Sequence, residues 1–275
     1  RMKYMTLNSS CAFAGVANLL EQYGVDIEDR DLCLGMKLPY LFENESGKYL
    51  TGTMLQSAAW FNRFLCTIGF RMREVLLPRD QVPAYLCQER CAMLGLRLSP
   101  RSKHAVVYVG REGDRLLFVN NKWRNSDEPE TLSYSQKELL EGLDGDVMVA
   151  TVTPIPVEPA PDDMPLYRRS RQVLGEMKQD ITRFCAVEQT PRAIAGAMDP
   201  LFRAILLDGI TMLDLAGKAD LAEKLRGVQR EFLTAVRSEK AAVLSDLMSV
   251  DTLAAAIDEY SAWIAEETGC GGLAG

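Results

Sequence analysis

Cys11 and His104 are the two side chains in this 275-residue chain best suited to act as a nucleophile and its base, and His104 is the only histidine present. A thiolate attacks an acyl carbon once an imidazole has taken its proton, and a third polar group must hold the imidazole in the right tautomer. Asn120 and Asn121 are candidates for that third group, with Asn120 first in line. Asn8 and Ser10, just ahead of Cys11, are the candidate donors for the oxyanion that such an attack creates.

Two local elements must bring these groups together. From Cys11 to Gly24 the residues Phe13, Val16, Ala17, Leu20 and Tyr23 recur at helical spacing, which predicts a helix that opens on the cysteine and is capped by Ser9 or Ser10. The positive end of a helix dipole favours thiolate over thiol. Lys103 to Gly110 and Arg115 to Trp123 are β-rich runs on either side of a Gly113-Asp114 turn, so a hairpin is expected. A hairpin sets the start of its first strand beside the end of its second, which carries His104 toward Asn120 or Asn121. Around these lie an acidic helix near residues 25–34, a core helix within 53–65, and strands at 69–77, 91–98 and 146–152. Residues 80–90 read as helical, and Cys87 and Cys91, four apart, would share a helix face only if that helix ran through both.

Chain order Cys, His, Asn is that of the papain-like thiol enzymes, and residues 8–153 resemble that superfamily. The His104-Ala105-Val106-Val107 hairpin running on to Asn120 is similar to that of the bacteriocin leader peptidase-like group. The pairing of such a domain with a helical half resembles the butirosin-biosynthesis acyltransferase family. The resemblance implies an α+β, papain-like thiol-enzyme domain over 1–153. It also implies a Cys11 thioester and either acyl transfer or specialised amide hydrolysis, with leader-type peptidase activity as the alternative. The departures bear on the chemistry. Met5 stands where such peptidases place an oxyanion-hole glutamine, Cys11 is followed by Ala12 rather than glycine, and Asn120-Asn121-Lys122 replaces an Asp-Pro pair. They favour acyl transfer over ordinary peptidase activity and leave open a papain-like binding module without chemistry.

Beyond the strand at 146–152, residues 154–163 hold four of the twelve prolines and predict an extended linker. Residues 164–270 then shift to alanine, leucine and charge, with four apolar stripes at helical period and an interruption at Pro200. A C-terminal α-helical bundle is expected there, with amphipathic faces for a carrier protein or a second copy. The net charge of −7 argues against a nucleic-acid partner, and no apolar run is long enough to suggest a membrane span. Seven scattered cysteines fit reduced thiols in a cytoplasmic protein, and no ligand spacing suggests a metal or other cofactor. The expected ligand is an acyl or peptide substrate.

Overall fold

The computed structural model describes residues 2–100, 102–121 and 130–271. In chain order they form α1 (Cys11–Glu21), α2 (Asp29–Gly35), β1 (Phe42–Glu45), β2 (Lys48–Thr51), α3 (Ala58–Leu65), β3 (Phe70–Pro78), α4 (Val82–Leu86), β4 (Ala92–Ser99), β5 (Ser102–Glu112), β6 (Arg115–Asn120), β7 (Thr131–Ser135), α5 (Gln136–Glu141) and β8 (Asp146–Pro154). They are followed by α6 (Met164–Cys185), α7 (Pro191–Ala197), α8 (Gly209–Leu215), α9 (Ala219–Val236) and α10 (Val250–Thr268). The architecture is α+β. Among the described residues no helix is long and apolar enough to cross a membrane.

The chain divides into two compact units, one comprising residues 1–36 and 56–161, the other residues 37–55 and 162–275. The first is built on a six-stranded antiparallel sheet in the order β3-β8-β4-β5-β6-β7. One sheet face carries a cluster that includes Leu86, Leu94, Val106, Phe118, Leu139 and Val149. Strand alternation sends neighbouring residues to the other face, where α1 lies against β4 and β5. The apolar stripe of α1, with Phe13, Val16, Ala17, Leu19 and Leu20, is fully buried, and Phe13 meets Phe61 of α3 with ring centroids 4.8 Å apart. Gly24, at φ 78°, takes the left-handed conformation beyond the helix end.

Several elements differ from the sequence reading. The helix at 80–90 is confined to α4, where Cys87 is the C-cap, and Cys91 immediately precedes β4, so the two thiols do not share a helix face. The residues toward Pro161 are not a free linker: Ile155 N–H donates to Gly69 O (2.8 Å) and Glu158 N–H to Cys66 O (2.9 Å), which fastens this extended stretch to the first unit. Lys122 and Trp123, read as the end of the second hairpin strand, lie outside the described residues.

The larger revision concerns residues 37–55, assigned by sequence to the 1–153 domain. They form the β1–β2 hairpin and belong to the helical unit. Ser170 Oγ of α6 accepts from Phe42 N–H at 2.9 Å, Tyr49 OH donates to Asp180 at 2.6 Å, and Tyr260 OH of α10 donates to Pro39 O at 2.8 Å. The Phe42 ring meets Tyr260 edge-on, with centroids 5.0 Å apart. Gly52 passes so close to Met212 that a Cβ there would lie 3.0 Å from its Cγ. At Pro200, which has no N–H to give a helical ladder, the chain neither stops nor simply bends. It takes wide π turns over Met198–Phe202 and Ala204–Asp208.

Candidate active site

The nucleophile candidate opens a core helix. Cys11 is the first residue of α1, partly exposed, and Ser10 is the N-cap residue. Ser10 does not cap the helix with its side chain. Its hydroxyl, fully buried, is turned to Asp29 Oδ2 at 2.6 Å and Leu7 O at 2.8 Å instead. The first turn of α1 therefore has no side-chain acceptor from its cap, and its N–H groups are of the kind that bind anions. Asn8 is exposed in the turn just before, and Ser9 has φ 56°. Met5 is buried.

Alternation puts the two asparagines on opposite faces of the sheet. Asn120 pairs with Val106 across β5 and β6. It therefore falls on the sheet face of Phe118 and Val106, away from α1, where its amide donates to Glu130. Its Oδ1 is buried with no hydrogen-bond partner among the described residues. Asn121 turns to the α1 face. Its fully buried Nδ2 donates to Cys11 O at 3.1 Å and to Ala105 O at 2.9 Å, and its Oδ1 accepts from Asn18 Nδ2 at 2.8 Å.

His104 shares the alternation of Val106, and the β5–β6 register of the described residues begins at Val106–Asn120. The half-buried imidazole has its Nδ1 3.2 Å from Ala105 O. A ring nitrogen beside a carbonyl oxygen is satisfied when it carries the proton, which leaves Nε2 as the basic atom. No hydrogen bond joins the imidazole to either asparagine among the described residues. The expected bond from an asparagine oxygen to the ring is replaced by a shared acceptor, since His104 and Asn121 both approach Ala105 O.

Two residues that the sequence reading passed over complete this arrangement. Asn18 is buried two turns along α1 from Cys11, donating to both Asn121 and Lys3 O while accepting from Lys3 N–H at 2.8 Å. A polar amide in the middle of Val16-Ala17-Asn18-Leu19-Leu20 was the available signal. Gly15 is the second. A Cβ there would lie 2.2 Å from Met93 Sδ and 3.0 Å from Asn121 Nδ2, so glycine is what lets the helix approach β4 with the amide in place.

All seven cysteines are free, and burial separates their reactivity. Burial lifts the Cys91 and Cys185 thiols to about 11 and pushes Cys33 well above the ordinary range. Cys87 is exposed and Cys11 partly so. Among the described residues no three His, Cys, Asp or Glu side chains converge as a metal-ligand set. In the second unit, a cavity of about 310 Å³ is lined by Phe202, Leu206, Phe232 and Leu233 and has no cysteine or histidine in its wall.

No family model matches the chain, and no curated protein matches it. Among solved structures it is similar to the peptidase domain of Streptococcus ComA, a bifunctional ABC transporter involved in a quorum-sensing pathway. The identity is 14%, the likeness covers 55% of this chain and 96% of that one, and the TM-score is 0.37. So loose an overlap carries no conclusion about activity.

Proposed function

We propose that the chain is a cysteine-dependent hydrolase of amide or peptide bonds in which Cys11, His104 and Asn121 work together on a papain-like plan. His104 Nε2 takes the thiol proton, and Cys11 Sγ bonds to the substrate carbonyl carbon. The tetrahedral oxyanion meets first-turn N–H groups of α1 and the Asn8 amide. Its collapse breaks the C–N bond, His104 returns the proton to the departing amine, and a thioester remains on Cys11. Water, deprotonated by the same imidazole, then releases the acid.

The observation that carries this reading is the Asn121 amide, whose single nitrogen holds the carbonyls of Cys11 and of the residue beside His104. Its role is positioning. An amine can consume the same thioester in acyl transfer, the outcome that the sequence departures favoured. Nothing in the geometry selects an amine over water.

The test is turnover of acyl-amide and peptide substrates by the parent and by Cys11→Ala and His104→Ala variants, with products analysed in the presence and absence of added amines. Turnover lost in both variants with the fold retained is the expected result. A Cys11→Ala protein as active as the parent would leave a non-catalytic papain-like module as the better description.

A further inference from the structure

Asp29 is the first residue of α2 and is completely buried, yet everything that touches its carboxylate is a donor from another part of the chain or from its own helix start. Oδ2 accepts from Thr6 N–H at 2.7 Å, from Leu7 N–H at 3.3 Å and from Ser10 Oγ at 2.6 Å. Oδ1 accepts from Thr6 Oγ1 at 2.6 Å and from Arg30 N–H at 2.8 Å. A carboxylate only accepts, so it fits this shell of donors, whereas an amide would turn an NH₂ group against at least one of them.

The donors have a second property in common. Thr6, Leu7 and Ser10 frame the turn that delivers the chain to Cys11. Ser9 within that turn holds a left-handed φ of 56°, unfavourable for a residue with a Cβ and maintained only where the surroundings over-determine it. Within the turn Ser10 N–H reaches Leu7 O at 3.4 Å, and the Ser10 hydroxyl lies 2.8 Å from the same carbonyl. The Asp29 side chain holds the Leu7–Ser10 turn from outside, reached across 19 residues of sequence from Ser10.

We infer that Asp29 is the positioning residue of the oxyanion site: by clamping Thr6, Leu7 and Ser10 it sets the direction of the Cys11 N–H and of Asn8. The inference rests on Cys11 acting as the acylated nucleophile. Asp29 does not touch the substrate, and its effect falls on the step that develops an oxyanion, sparing thiol chemistry that does not.

Two reagents separate those steps. p-Nitrophenyl acetate acylates a thiol through a tetrahedral oxyanion, whereas iodoacetamide alkylates it by displacement at a saturated carbon. Both rates at Cys11 are measured in a Cys87→Ser background for the parent, Asp29→Asn, Ser10→Ala and the double variant, with circular dichroism to check folding. Asp29→Asn is expected to lower the ratio of acylation to alkylation by about tenfold or more. Ser10→Ala should lower it less, and the double variant should be no worse than Asp29→Asn because both act through one clamp. An unchanged ratio in a folded Asp29→Asn protein overturns the inference, even if the melting temperature falls. Should that variant not fold, Ser10→Ala and Thr6→Val keep the carboxylate and each remove a donor, and parent-like ratios in both overturn it equally. If the parent itself shows no Cys11-dependent acylation, the catalytic reading fails first and takes this one with it.

Discussion

Asn121 donates its side-chain amide to the carbonyl oxygen of Cys11 across 3.1 Å, although 110 residues separate them in sequence. The same nitrogen holds Ala105 O, and the oxygen of the amide is taken by Asn18, so all three bonds depend on one buried side chain. Removing it takes one buried partner from each of two carbonyls and from the Asn18 amide, which keeps its bond to Lys3 O. Asn121→Ala is expected to destabilise the fold by about 2–4 kcal/mol and to abolish acyl turnover. Asn120→Ala, on the opposite sheet face, should leave turnover much closer to that of the parent. Urea denaturation and turnover assays on the two variants check this, and equal losses of turnover would remove the distinction between the neighbours.

Gly15→Ala adds one methyl where there is no room. Helix propensity favours alanine by about 1 kcal/mol, but the methyl meets Met93 and the Asn121 amide at sub-contact distances. Overpacking of that kind costs about 1–3 kcal/mol, so a net loss of stability is expected. Met93→Ala should relieve part of it, giving a non-additive double variant in thermal melts.

Thiol labelling should sort the cysteines by environment. Native protein treated with iodoacetamide near neutral pH is expected to take label at Cys11 and Cys87, and Cys87→Ser to leave Cys11 as the main site. Cys91 and Cys185, lifted to about 11 by burial, should label only as pH approaches that value or once the chain unfolds. Peptide mass mapping reads the outcome.

Asp208 sets a pH dependence in the helical unit. Burial raises its carboxyl from 3.8 to about 6 despite the Arg203 guanidinium 3.0 Å away. Because the folded chain binds this proton more tightly than the unfolded one, stability from this group falls as pH rises from about 4 to about 6 and stays low above. The full effect is on the order of 3 kcal/mol. Asp208→Asn should remove that slope and raise the urea midpoint at neutral pH relative to the parent, measured across pH 4–8.

The sequence made the local elements readable where one periodicity ruled. α1, β3, β5, β6, β8 and the long helices of the second half fall close to where apolar spacing puts them. His104 was easy to single out because it is the only histidine in the chain. What spacing could not supply was the sheet face. Asn120 and Asn121 are adjacent letters, and only the register against Val106 separates them. Ser10 looked like a cap because serine usually is one, and a buried carboxylate distant in sequence outcompeted the helix for its hydroxyl. β1 and β2 were hidden for a different reason: each has four residues, and their partners lie more than a hundred residues downstream.

That excursion makes the order of synthesis matter. Residues 37–55 leave the ribosome between two parts of the sheet unit but belong with helices that do not yet exist, and Tyr260 is among the last side chains made that they meet. The nascent chain must therefore hold an unpartnered hairpin aside while α1 ahead of it and the sheet strands behind it find one another. A cut at the proline-rich stretch, the obvious place to divide the gene, would leave the helical fragment without Phe42 and Tyr49 and the other fragment with an orphan loop.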